Sequence, residues 1–489
     1  MFKIKLYLVL IVVIAIIMTM VVIPGCKTTA ATTTTTTAAT ETTAAAETTT
    51  TAATETTAAA GTTTAEKKLT IKAIMMQGGG WVGVTRKLIP DFTAKTGIDV
   101  DIEEMPYNSL KDKAILEMSS KTGAYDIVVL DTAWLTEFAE AGYVADLTPL
   151  IEKYKTPIDG YLAPQLAACN HQGKYFALPF EIDTRVLGIN MEMANAAGIT
   201  EPPKTIEEFK NAAIAMTKDK NGKTPKDSGF DANNIVQYGF VYTGQAGPYS
   251  ALDFAPFMWG MGGDILKENG PKDYTVVVDS KETVNALTMY SELLTKWHAV
   301  PVESTTYEEN QQEEAIRHGK AAMGILPCPS HAAHLEGSLG FEDTVVKGKM
   351  KYVNTPADPP NKPKTRTGIW AMFIPADSKH IEEAFQFAQW ITTDKEATNK
   401  YVSLGGASPW KEAWSSPETV KLFPFAPDVM KVMEVSWAEP QIPEWGQIRQ
   451  IFGEMVSEAI TKQKTPEKAV SDAAGRMKQV LKDAGYPNP

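Results

Sequence analysis

Apolar and polar positions alternate along most of this chain in two different periods. Leu69–Met76 (LTIKAIMM) is a short strand-like run, and Leu88, Ile89 and Phe92 then fall at helical spacing. Ile98–Glu103 (IDVDIE) alternates as a half-exposed strand does, and Leu110–Met118 reads as an amphipathic helix. Tyr125–Leu130 (YDIVVL) is a short run, apolar but for Asp126, with the pattern of a strand buried on both faces. Tyr175–Pro179 and Val186–Asn190 look extended, while Val284–Leu294, Ile381–Ile391 and Ala469–Leu481 return to helical spacing. Thr205 and Glu208 form a capping box, and Thr465-Pro466-Glu467 marks another helix start. Lys218–Asn234 is a polar, Gly-containing surface insertion. Strands alternating with helices predict an α/β fold with a parallel sheet covered on both faces.

The front of the chain follows neither period. Lys3 and Lys5 precede an apolar run from Leu6 to Ile23, the layout of an export signal spanning residues 1–25. Ile23-Pro24-Gly25-Cys26 resembles the lipobox of bacterial lipoproteins, which implies cleavage before Cys26 and lipidation of that residue. An uncleaved membrane anchor is the alternative that the run's length leaves open. Both place the body on the extracytoplasmic face of the cell membrane. Residues 26–67 are rich in Thr and Ala, and the stretch 38–64 has no aromatic residue and no aliphatic one larger than Ala. Such a segment buries too little to offset the entropy of ordering it, so it is expected to be a solvated tether with a span of roughly 35 Å.

Lys and Arg number 47 against 59 Asp and Glu, a net charge of −12, and no basic block occurs, which excludes nucleic acid as the expected partner. Three cysteines do not make a disulfide framework. Cys26 is accounted for by lipidation; Cys169 and Cys328 are expected as buried free thiols, with a disulfide between them as the alternative.

An ordered set of segments resembles the extracellular solute-binding proteins of bacterial ABC importers, in particular their carbohydrate-binding group (family 1 type). The segments are YDIVVLDTAWLTEFAEAGYVADLTPLI (125–151), KYFALPFEIDTRVLGIN (174–190), PPKTIEEF (202–209), FAPFMWGMGGDIL (254–266), HGKAAMGIL (318–326), TGIWAMFIP (367–375) and GGASP (405–409). The resemblance implies a hinged, two-lobed periplasmic-binding-protein-like fold (type II) with the ligand cleft between lobes. The first lobe is expected at 68–180 and 335–400, the second at 183–330 and 405–489. It further implies a monomer that captures a carbohydrate (a sugar, oligosaccharide or polyol) and delivers it to a membrane permease, with no catalysis and no cofactor. A surface-anchored glycoside hydrolase and a sugar-sensing receptor are the alternatives.

Sugars offer apolar C–H faces to aromatic rings and hydroxyls to carboxylates, amides and Arg. Of the ten Trp, Trp297 and Trp390 sit in amphipathic patterns and are expected in the core, whereas Trp81, Trp134, Trp259, Trp370 and Trp410 are cleft candidates, with Trp437 and Trp445 also in loops. Asp131 and Trp134 directly follow the apolar strand, where a cleft loop starts; a helix cap and a buried ring are the competing reading. Glu181, Asp183 and Arg185 alternate along an extended segment and so share a side, facing ligand or pairing internally. Gly368 and Trp370 mark a second crossing between lobes. With Asp264 these residues complete the expected ligand-binding set.

Two departures from the resemblance matter. Pro327-Cys328-Pro329-Ser330-His331 lacks the aromatic that relatives often place there, and Trp410 stands where relatives often show Arg. Gly78-Gly79-Gly80-Trp81-Val82-Gly83 fits G-x-G-x-x-G but lacks the rest of a dinucleotide site, so a loop approaching ligand is expected instead. Cys328, His331 and His334 have metal-like spacing without an evident fourth ligand, and no metal is expected. Glu181 and Asp183 stand alone as glycosidase carboxylates, and Ser338 lacks the first Gly of a nucleophile elbow.

Overall fold

The structure, a computed structural model, describes residues 69–489 apart from Gly79, Pro271, Lys272, Val435 and Ala438, and leaves out the side chains of Asn108 and Glu434. The leader, Cys26 and the Thr/Ala-rich tether lie outside the described residues.

The first pattern in the chain builds β1 (Thr70–Met76), α1 (Trp81–Thr96), β2 (Asp99–Met105), α2 (Tyr107–Ser119) and β3 (Ile127–Asp131). β4 (Ala177–Ile182) and β5 (Thr184–Asn190) follow, then α3 (Ile206–Met216), α4 (Pro248–Gly260), α5 (Lys281–Thr295), α6 (Glu309–Arg317), β6 (Met323–Cys328) and α7 (Ser330–Leu335). β7 (Met350–Val353), β8 (Ile369–Phe373), α8 (Ile381–Thr393), α9 (Lys395–Ser403), α10 (Trp445–Ile460) and α11 (Pro466–Asp483) complete the framework.

These strands form two separate sheets. The first has the order β2-β1-β3-β8-β4, with β1 parallel to β2 and β3, and β8 antiparallel to β3 and β4. β3 is central and buried at every position, as its unbroken apolar run requires; β2 alternates and lies at the edge. The second sheet has the order β6-β5-β7 and is antiparallel throughout, whereas the sequence pattern predicts a parallel sheet. The expected lobe boundary at 335 also needs correction. β7 pairs with β5, so Met350–Val353 belong to the second sheet and the chain rejoins the first only at β8.

Helices cover both sheets by the apolar stripes that define them. Phe92 on α1 meets Phe387 and Trp390 of α8 at 5.1 and 5.3 Å. Trp297 and Trp390, both expected in the core, are each half-buried and pack against its edge, Trp297 from just beyond the end of α5. α4 is buried along almost its whole length, and its Phe254 packs on Phe452 of α10 at 5.7 Å. The local signals hold: Thr205 and Glu208 close the capping box of α3, and Thr465 caps α11 with Pro466 in its first turn. Cys169 and Cys328 are buried free thiols in different apolar clusters, and burial raises both.

The chain passes between the sheets with little slack. A single residue, Asp183, separates β4 from β5, and its N–H donates to the carbonyl of Gly368 just before β8 at 2.9 Å. A Cβ at Gly368 would collide with the Asp183 carbonyl, so the two crossing strands can lie this close only with glycine there.

Candidate functional site

A cavity of about 450 Å³ opens between the two sheets, at the carboxyl ends of β1, β2 and β4. That is where open α/β sheets present their ligand sites. The first-sheet side supplies Gln77, Gly78, Trp81, Tyr107, Glu181 and Trp370. The facing side supplies Gln245, Tyr249, Glu308, Glu309, Asn310, Ser330 and His331, and Asp183 lies at the crossing.

The aromatic wall is built by the strand ladder. Trp370 on β8 sits opposite Asp131 on β3 and Glu181 on β4. β4 carries one extra residue, Phe180, opposite Trp370–Ala371, a bulge that re-aims the neighbouring side chains. Trp370 meets Trp81 at 5.6 Å, and Tyr107 stands edge-on to Trp370 at 5.8 Å and 89°. Tyr249 closes the wall from the other side, 5.7 Å from Tyr107.

Glu181 is the most unusual polar group. Its Oε2 accepts the Tyr401 hydroxyl at 2.6 Å and the Ala407 N–H at 2.9 Å, while Oε1 has no partner. Burial pushes its carboxyl up to about 8, with the nearby Asp183 adding to the shift and the two donors opposing it.

Beneath the cleft runs a chain of buried ions. Arg185 pairs with Asp183 at 3.2 Å, with Asp253 at 3.8 Å and with Glu309. Arg366 links Asp183 at 2.6 Å to Glu439 at 2.8 Å, and Arg449 links Glu439 at 3.4 Å to Asp131 at 2.6 Å. Burial would raise the Asp131 carboxyl, but Arg449 and Arg366 outweigh it and hold the group at about 2. At Asp253 and Glu309 burial wins over Arg185, and they rise to about 6 and about 7.

Four residues of the expected ligand set therefore face the cavity: Trp81, Glu181, Asp183 and Trp370. The other seven do not line it. Asp131 accepts the Ala133 N–H at 3.0 Å as a cap and binds Arg449, so its carboxylate is spent before a ligand could reach it. Trp134 packs behind Tyr107 at 4.9 Å. Arg185 is fully enclosed by its carboxylates. Gly368 serves the crossing. Trp259 donates to Asp264 at 2.9 Å, and Lys364 sits 4.7 Å from the Trp259 ring and 4.1 Å from that of Trp437, away from the cavity. Trp410 lies over Gly160 and edge-on to Tyr161 at 5.4 Å, in a separate apolar cluster.

Sequence reasoning missed Tyr107, Tyr249, Asn310 and the acidic pair Glu308–Glu309. Tyr107 had a usable signal, since it follows the carboxyl end of β2 as Asp131 ends β3. In the glycine loop Gly78 lines the cavity, and Gly80 takes a φ of 75° that lets the start of α1 approach His334 of α7. The metal-like spacing resolves differently. His331 and His334 converge on Glu313, not Cys328, with ligand atoms all within 4.8 Å of one another, the one trio described that offers metal-binding atoms. Its geometry also serves as an ion cluster, because Glu313 lies 2.8 Å from His334 and 3.6 Å from the Arg317 guanidinium. Burial holds His331 down at about 4 against the pull of Glu313.

Residues 78–398 match the family of bacterial extracellular solute-binding proteins. The chain belongs to that family. A solute-binding protein of Agrobacterium radiobacter K84, solved with ribitol, is 27% identical with a TM-score of 0.73, covering 84% of this chain and 98% of its own. Maltose-bound MalE3 of T. maritima is 23% identical with a TM-score of 0.74, covering 84% of this chain and all (100%) of its own. A probable ABC transporter-binding protein of Deinococcus radiodurans is 22% identical over 392 residues, 79% of this chain and 87% of that protein. The two sheets are thus the two lobes of a solute-binding protein, and the cavity is the cleft between them.

Proposed function

We propose that this solute-binding protein captures a carbohydrate, as a sugar, oligosaccharide or polyol, and hands it unchanged to an ABC permease. The observation that carries the reading is the cleft wall, where Trp81 and Trp370 stand beside Glu181 and Asp183. Flat rings suit C–H faces, and carboxylates accept hydroxyls. The relatives solved with ribitol and maltose support the same ligand class. Closure follows from contact with both lobes: a ligand touching Trp370 on one side and Tyr249 or Asn310 on the other favours the closed arrangement by its differential affinity. Lipidation at Cys26 and the Thr/Ala tether would hold the protein near its permease and raise its local concentration. It acts as a monomer and carries out no chemistry on its ligand.

The test is a thermal-unfolding screen of the body with sugars and polyols, with product analysis of each hit. The expected result is a ligand-dependent rise in Tm with the ligand recovered intact. Turnover of the stabilising compound would contradict the reading and favour a hydrolase.

A further inference from the structure

The cleft is acidic in a way that a neutral sugar does not need. Glu181, Asp183, Glu308 and Glu309 line it, and among the described residues no Lys or Arg does. Asp183 and Glu309 are neutralised from behind by Arg366 and Arg185. Glu308 lies at the exposed rim and caps α6. Glu181 has no such help. It is 2% exposed, its two donors are a hydroxyl and an amide N–H, and its Oε1 is unpartnered.

We propose that the ligand carries a protonated amino group: an amino sugar or amino polyol whose ammonium binds Glu181 Oε1 beside the rings of Trp81 and Trp370. The hydroxyl-rich part of this ligand rests on the function proposed above; the charge rests on the cleft itself. A hydroxyl would satisfy the lone oxygen and leave the carboxyl protonated. An ammonium also supplies a counter-charge, so the buried group can ionise and accept a charge-assisted hydrogen bond. Trp370 is the cross-strand neighbour of Glu181, so its indole ring lies beside the group that holds the cation. Glu308 at the rim, with no Lys or Arg among the described lining residues, disfavours phosphorylated and carboxylated sugars.

Binding of this kind moves a proton. The titratable groups facing Glu181 are Asp183, which together with burial raises its carboxyl to about 8, and Tyr401, whose hydroxyl opposes that shift; the balance leaves the carboxyl protonated at neutral pH in the free protein. An arriving ammonium stabilises the carboxylate, and the proton leaves to solvent.

The test is titration calorimetry at pH 7 on residues 65–489, which form one compact unit with its own core. The probes are matched pairs: D-glucosamine with D-glucose, D-glucamine with D-sorbitol, and the disaccharide of glucosamine with cellobiose. Each is run in two buffers of different ionisation enthalpy. The expected result is at least ten-fold tighter binding of the amine in one pair, with proton release that makes its heat buffer-dependent. In Glu181→Gln the members of that pair should bind within about three-fold of each other. Should that variant not fold, the buffer dependence of the wild-type heat decides alone. Neutral members binding as tightly as their amines would overturn the inference and leave carbohydrate binding standing. No heat from any pair would overturn both.

Discussion

Arg449 donates to Asp131 Oδ2 over 2.6 Å, joining α10 to the carboxyl end of β3 between residues 318 positions apart in sequence. Both side chains are buried, and Asp131 also faces Arg366 at 3.9 Å. Removing Asp131 strands Arg449 with only its longer contact to Glu439, at 3.4 Å. Asp131→Asn should cost about 3–5 kcal/mol of unfolding free energy in urea titration. Adding Arg449→Gln should cost less than the sum of the two single changes, because the stranded guanidinium is then gone.

Gly368 is set by the crossing it makes. Its missing Cβ leaves room for the Asp183 carbonyl, so Gly368→Ala must push the two strands apart. The expected loss is about 1–3 kcal/mol, the cost of overpacking, read by chemical denaturation. Ligand affinity should fall too, since Asp183 and Trp370 flank the displaced strands. An unchanged affinity would mean the crossing does not position the cleft.

The tryptophans separate into two classes. Trp370→Ala should abolish the ligand-induced rise in Tm, because its ring faces the cavity. Trp410→Ala should instead lower the Tm of the free protein, by about 3–5 kcal/mol in stability, and keep the ligand-induced rise. Loss of the ligand response in Trp410→Ala with a normal free Tm would reverse the assignment.

Stability should peak in mildly acid solution. Glu181 sits at about 8 in the folded chain, well above an unfolded glutamate at about 4.3, so the folded state holds a proton that the unfolded state releases. Its favourable contribution is complete below about pH 4.3 and is lost as pH rises through 8. His331, held at about 4, acts in the opposite sense: its contribution is complete above about 6.5 and is lost as pH falls through 4. Tm measured from pH 5 to 8 should fall in the wild type and fall less in Glu181→Gln. Equal slopes would show that Glu181 does not titrate in this range.

The features legible in the sequence are those encoded by neighbours in the chain. β3 shows as an unbroken apolar run, α3 as a capping box, and the crossing at Asp183 as an alternating charged stretch. Trp81, Glu181, Asp183 and Trp370 were reachable because strand ends carry them to the cleft. Pairing across hundreds of residues leaves no local trace, which hides Arg449 as the partner of Asp131. The same blindness affects Trp134, Trp259 and Trp410. Trp134 and Trp410 stand outside any periodic segment and Trp259 ends a helix buried almost all round, so no pattern says which way the ring turns, and all three turn away from the cleft. Tyr249 and Asn310 face the cleft only because the second lobe folds over the first.

Hinged capture is tested most directly by small-angle X-ray scattering of residues 65–489 with and without a saturating sugar or polyol identified by the thermal screen. The expected result is a smaller radius of gyration with ligand bound. An identical scattering curve in both conditions would contradict closure of two lobes around the ligand.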